Sequence, residues 1–162
     1  MATELKNLSD QQIDQSFDFK ACKVGIAVSE WNGEITRALR DGALDFLLKA
    51  GVPEVNVVIK DVPGSFELPL AAQFMLEAGE VDGVICLGSV IRGETDHFTF
   101  VCNAVSQGVK DVCLKYNKPV IFGVLTDDTL EQAKARSGGQ HGNKGVEAAA
   151  AVLKMIALNE QP

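Results

Sequence analysis

GVICLGSVIRGETDHF, residues 83–98, decides how this chain folds. Gly83 to Ile91 is almost wholly apolar; Arg92, Glu94, Thr95, Asp96 and His97 follow, and hydrophobicity resumes at Phe98. A short, unbroken apolar run reads as a strand buried on both faces, because a half-exposed strand would alternate. Beyond the polar burst, Phe98, Val101, Val105, Val109 and Val112 recur at spacings of three and four, which marks one face of a helix. The segment is therefore a strand, a polar loop and a helix.

Working outward, the same unit recurs. KVGIAVS, Lys23 to Ser29, reads as a strand, and Ile35, Leu39, Gly42, Ala43, Phe46 and Leu47 follow at helical spacing, with Gly51 as the stop. VNVVI, Val55 to Ile59, predicts a second strand. DVPGSFE breaks it, with Gly64 supplying a positive φ, and Leu68 to Ala78 forms a helix that tolerates Pro69 in its first turn and ends at Gly79. PVIFGVL, Pro119 to Leu125, is the fourth strand. After it, Asp128 as N-cap and Glu131 three residues on suggest a capping box opening a short helix. Gly145 to Leu158 is an alanine-rich closing helix, and RSGGQHGNKG, Arg136 to Gly145, reads as a flexible solvated loop before it.

Apolar strands alternating with amphipathic helices imply a parallel sheet covered on both faces. The expected fold is α/β: three-layer, flavodoxin-like, with a four-stranded parallel sheet. Residues 1–20 lack sustained periodicity and are expected to form an N-terminal arm, leaving 21–162 as a single domain.

Composition narrows the function. The 162 residues carry 15 Lys and Arg against 22 Asp and Glu, a net charge of -7, which disfavours broad contact with nucleic acid but leaves room for a local anion pocket. Cys22, Cys86, Cys102 and Cys113 lie in or beside apolar runs without zinc spacing, and read as buried, reduced thiols. The opening MATELKNLSDQQIDQ has no apolar signal region, and no run approaches the about 20 apolar residues of a membrane span. A cytoplasmic protein is expected.

In a parallel α/β sheet the strand-to-helix loops gather at the carboxyl edge, where ligands bind. One rim therefore collects Trp31 from the first loop, Ser65, Phe66 and Glu67 from the second, and Ser89 to His97 from the third. Taken singly, each has a purely structural explanation: a packed tryptophan, a turn, a solvated first-turn histidine. Together they suggest chemistry. With Thr95 or Asp96 as cap, the start of the third helix offers unpaired N–H groups and a positive dipole end to an anion. The same dipole disfavours imidazolium, which suits His97 to general acid-base work.

Three separated motifs, VPGSFELP, GSVIRGETDHF and GNKG preceded by Arg136, resemble the lumazine synthase family. The resemblance runs from Lys23 to about Leu158 and implies a flavodoxin-like subunit assembled into pentamers, some of which build sixty-subunit icosahedral shells of twelve pentamers. It implies condensation of 5-amino-6-(D-ribitylamino)uracil with 3,4-dihydroxy-2-butanone 4-phosphate to 6,7-dimethyl-8-ribityllumazine, in riboflavin biosynthesis. It implies no metal or organic cofactor, and extends to association with riboflavin synthase.

Carried over residue by residue, the resemblance makes Trp31 a stacking platform for the pyrimidine. Ser65, Phe66 and Glu67 hold ring and ribityl chain, and Ser89, Val90 and Ile91 line the same pocket. Glu94 and Thr95 form the phosphate turn, and His97 transfers protons. Phe122, Arg136 and Lys144 match residues contributed by a neighbouring subunit, with Arg136 on the phosphate. The chain departs from the commoner pattern at Trp31, where many members carry phenylalanine, at Glu94, and at Gly139 and Gln140, which replace a threonine-lysine pair. It lacks the insertion associated with members that stop at pentamers.

Two rival readings fail on the first loop. A flavin-binding electron carrier needs a Ser/Thr/Gly-rich phosphate loop, and SEWNGE crowds that place with Trp31 and two glutamates. A phosphoacceptor module needs clustered acids there and an aspartate ending the third strand, where Ser89 stands.

Overall fold

The computed structural model describes residues 7–14 and 16–160. Its main sheet is four parallel strands in the order β2-β1-β3-β4: β1 Val24–Ser29, β2 Val57–Val62, β3 Gly83–Ile91 and β4 Val120–Asp127. Helices α1 Gly33–Lys49, α2 Leu68–Glu77, α3 His97–Tyr116, α4 Leu130–Arg136 and α5 Lys144–Glu160 follow or close the crossovers. The expected flavodoxin-like, three-layer α/β fold is the fold observed.

The two central strands explain themselves. Every residue of β1 is buried, as are the first seven of β3, so each strand must be apolar on both faces. On one side Ile26, Ile85 and Leu87 pack with Leu39 and Leu47 of α1 and Leu153 of α5. On the other, Ala27, Val84 and Cys86 pack with Leu68 and Ala72 of α2 and Val105 and Val109 of α3. Leu39, Leu47 and Leu153 are fully buried. Truncating any one to alanine costs about 2–5 kcal/mol. Gly51 at φ 99° and Gly79 at φ 70° end α1 and α2 as their sequence positions suggest.

Four local expectations are corrected. The second strand begins at Val57, because Glu54–Asn56 is a single 3-10 turn after Pro53; as an edge strand it exposes Ile59, Lys60 and Asp61 and so lacks the apolar signature of the centre. Gly64 is extended, at φ -150°, since the turn that follows is a 3-10 helix, Ser65–Glu67, that needs no left-handed residue. The cap of α4 is Thr129, whose hydroxyl accepts the Gln132 N–H at 3.2 Å while the Gln132 side chain accepts the Asp128 N–H at 2.8 Å. Asp128 thus stands one residue outside the helix, its carboxylate bound to Arg92 at 2.7 Å. Of the cysteines, all free, Cys22 and Cys86 are buried, but Cys102 and Cys113 are half-buried because α3 turns that flank of its surface outward. Burial pushes the Cys86 thiol up to about 12.

The glycine-rich stretch is ordered too. Ser137–Gly139 (β5) and Gly142–Asn143 (β6) pair antiparallel. Residues of the expected arm pin this hairpin: the Leu8 N–H donates to the His141 carbonyl at 2.8 Å, and the Ser9 hydroxyl accepts the Asn143 N–H at 2.9 Å. Gly142, at φ 81°, is required here, since a Cβ would lie 2.6 Å from the Ser9 nitrogen. Asn143 then donates to the Ala38 carbonyl at 2.9 Å and accepts the Gly145 N–H at 2.8 Å, fixing where α5 starts. Residues 1–6 and Gln15 of the arm lie outside the described residues.

Candidate active site

At the carboxyl edge, loops after β1, β2 and β3 enclose a cleft of about 370 Å³. Trp31, Ser65, Phe66, Ser89, Val90 and Ile91 line it, with Thr95 and His97 closing the far side. Three strand ends that are neighbours in the sheet deliver these residues, which is why segments distant in sequence meet. Trp31 and Phe66 are 72% and 61% exposed, far more than packing requires of either ring. Glu67 and Glu94 stand exposed on the same loops, outside the lining.

The walls are tied together by backbone bonds. The Glu30 N–H donates to the Val62 carbonyl at 2.8 Å, joining the first loop to the end of β2. Asn32, held left-handed at φ 57° before Gly33, donates its side-chain N–H to the Ser89 carbonyl at 2.9 Å. Asn32 stands in the first loop of the sequence reading without a role; the signal for one was an Asn-Gly pair at a helix start, a residue type that tolerates that conformation. Ser89 is buried, and its hydroxyl has no partner among the described residues.

Helix α3 opens at His97 with Asp96 as cap, without a side-chain capping bond. The Asp96 carbonyl accepts the Thr99 and Phe100 N–H groups at 3.0 and 3.3 Å, whereas the His97 N–H meets only the Thr95 hydroxyl, at a long 3.4 Å. The helix therefore presents a weakly satisfied, positive end beside an exposed imidazole, suited to receiving an anion. Arg92 braces this turn: its guanidinium lies 4.1 Å over the Phe98 ring and its Nε donates to Asp128 at 2.7 Å.

Phe122, Arg136 and Lys144 are not brought to this cleft. They line a second one, also about 370 Å³, with Leu8, Thr126 and Asp127. Its two cations each have a carboxylate: Lys144 Nζ is 2.6 Å from Glu147 and Arg136 Nη1 is 3.6 Å from Asp127. Asp127 is a buried acid at the end of β4 that the sequence reading missed, because the adjacent Asp128 carried the capping signal. Desolvation pushes its carboxyl up, Arg136 pulls it down and Asp128 adds to the rise. Among the described residues there is no group of three acidic, histidine or cysteine side chains able to hold a metal, and no helix is long and apolar enough to cross a membrane.

The sequence matches a known family along most of its length. The model of the family described as 6,7-dimethyl-8-ribityllumazine synthase matches residues 21–160. A protein of that name from Cytophaga hutchinsonii is 60% identical over 133 residues, covering 82% of this chain and 84% of its own. One from Porphyromonas gingivalis is 48% identical over 158 residues, 98% of each chain. Another, from Flavobacterium johnsoniae, is 49% identical over 161 residues, 99% of this chain and 85% of its own.

Proposed function

This chain belongs to the 6,7-dimethyl-8-ribityllumazine synthase family, and we propose that its active site is complete only where the His97 cleft of one protomer meets the Arg136 cleft of a neighbour. The reaction is the condensation of 5-amino-6-(D-ribitylamino)uracil with 3,4-dihydroxy-2-butanone 4-phosphate, a transfer step of riboflavin biosynthesis that yields 6,7-dimethyl-8-ribityllumazine, phosphate and water.

The observation that carries the shared site is the division of residues between two clefts. One holds aromatic faces and the histidine but no free cation; the other holds two cations and Phe122 but no histidine. Each is of the size that takes a small ligand. In this reading Trp31 and Phe66 stack the pyrimidine, while Ser65, Glu67 and the backbone of Ser89 to Ile91 hold ring and ribityl chain. Glu94, Thr95 and the α3 terminus take the phosphate with the neighbour's Arg136. Phe122 and Lys144 of that neighbour close over the ring.

The chemistry asks little more than proton movement between held partners: amine attack on a ketone, loss of water to an imine, elimination of phosphate and ring closure. Alignment of two bound substrates supplies much of the rate. His97, at the mouth between ring and phosphate turn, relays protons and contributes about 10²- to 10⁴-fold.

Exposed Leu70 and Phe74 of α2 and Phe100 and Leu114 of α3 support an oligomer, since apolar side chains in one helical layer call for a neighbour, and a pentamer is the form this reading gives it. Twelve such pentamers form the icosahedral shell of this reading. Four unpaired thiols fit a cytoplasmic setting. Riboflavin synthase, which consumes the lumazine, is the partner implied. Sedimentation with a parallel absorbance assay tests the shared site: dilution to monomers abolishes lumazine formation, and a stable monomer that turns over contradicts it.

A further inference from the structure

The cations of the second cleft are spoken for before any ligand arrives, and unequally so. Lys144 has a close partner in Glu147, at 2.6 Å. Arg136 has a loose one: 3.6 Å from Nη1 to the nearer Asp127 oxygen, with the same nitrogen 3.3 Å from the Gln132 carbonyl. A separation of 3.6 Å is an ion pair without a true hydrogen bond. The other Asp127 oxygen is buried and has no partner among the described residues. A carboxylate so placed is held where desolvation works against its charge, with one guanidinium as its chief compensation.

We propose that Asp127 is a positioning residue for Arg136 and a competitor of the anion that Arg136 receives: an arriving oxyanion displaces the carboxylate from the guanidinium, and Asp127 takes a proton from solvent. This rests on the reading that Arg136 grips the phosphate. The charged groups around Asp127 leave it no substitute partner. From α4 only Arg136 faces it; from the loop after β3, Arg92 gives its backbone N–H to the Asp127 carbonyl at 2.9 Å but commits its side chain to Asp128. From α5, Lys144 shares the cleft but is bound to Glu147, and just past the end of β4 Asp128 contributes a like charge. A second anion against Arg136 therefore raises the cost of keeping Asp127 ionised. The Arg136–Asp127 pair makes the cleft close to neutral when empty and selective for a ligand that brings its own negative charge.

The consequence is proton-linked anion affinity. Inorganic sulfate, whose charge is fixed over the working range, serves as competitive inhibitor against the butanone phosphate in assembled enzyme from about pH 4.5 to about pH 8. Wild-type sulfate affinity falls as pH rises, by up to about tenfold per unit where Asp127 titrates. Asp127→Asn loses that limb, so the ratio of its sulfate affinity to the wild type's grows with pH; dividing the two removes every pH dependence they share. A merely structural role would shift both proteins by one constant factor. Equal sulfate affinities at every pH, with Arg136→Ala still weakening sulfate, overturn the proposal and leave the phosphate reading standing. An Arg136→Ala enzyme that binds sulfate like the wild type overturns both. Should Asp127→Asn fail to assemble, calorimetry of His97→Ala enzyme in buffers of different ionisation heat reads the same event: net proton uptake on sulfate binding is expected, and none contradicts it.

Discussion

The Ser65 hydroxyl occupies the space beside Gly88 that a side chain would need: a Cβ on Gly88 would lie 2.5 Å from Ser65 Oγ and 3.0 Å from Leu68 Cδ1. The absence of a side chain on β3 is thus what lets the 3-10 turn carrying Ser65 and Phe66 settle against the sheet and form one wall of the cleft. Gly88→Ala is expected to destabilise the fold by about 1–3 kcal/mol and to raise the KM for the pyrimidine more than that for the butanone phosphate. Denaturant unfolding and steady-state kinetics read the two effects separately.

Trp31 is exposed and carries little of the fold. Trp31→Ala should leave the thermal midpoint unchanged and weaken pyrimidine binding by about 1 kcal/mol, roughly fivefold in KM, with Trp31→Phe restoring most of it. A change in unfolding as large as the change in KM would make it a packing residue.

His97→Ala is expected to lower kcat by about 10²-fold or more, with pyrimidine affinity within about threefold of wild type, as befits a group that acts on protons. A loss confined to KM would move the proton-transfer role elsewhere.

Asp127 also marks folding stability. Its carboxyl is raised in the folded chain, mainly by desolvation. The sign follows: relative to a neutral side chain, its contribution is full below the unfolded value near about 3.9 and is lost as pH rises through the higher folded value. Asp127→Asn should therefore gain stability relative to wild type as pH rises above the unfolded value. Equal pH profiles of the thermal midpoint would show that the charge costs nothing where it lies.

The sequence made the centre of the molecule legible and its edges less so. β1 and β3 are buried on both faces, so their apolar runs announced a parallel sheet and located its rim, where Trp31, Ser65, Phe66 and His97 line one cleft. β2 lies at an edge, where Lys60 and Asp61 are exposed, so VNVVI announced the strand but not where it starts and ends. The 137–143 hairpin depends on Leu8 and Ser9, more than 130 residues away in the case of Ser9 and Asn143, so local glycine content suggested only a loop. Asp127 carries no pattern of its own, being buried by tertiary packing at a strand end. Phe122, Arg136 and Lys144 gather apart from His97, along β4 and the ends of the helices that follow it, and periodicity cannot report it.

Complementation between two damaged proteins tests the shared site most directly. In a ring built from head-to-tail contacts, each interface joins the His97 cleft of one protomer to the Arg136 cleft of the next. His97→Ala and Arg136→Ala, co-expressed in equal amounts and assayed at low butanone phosphate, should assemble about one quarter of their interfaces from two intact halves and recover about one quarter of wild-type lumazine formation. Mixed assemblies no more active than the average of the two variants alone would place both residues in one protomer's site and contradict the account.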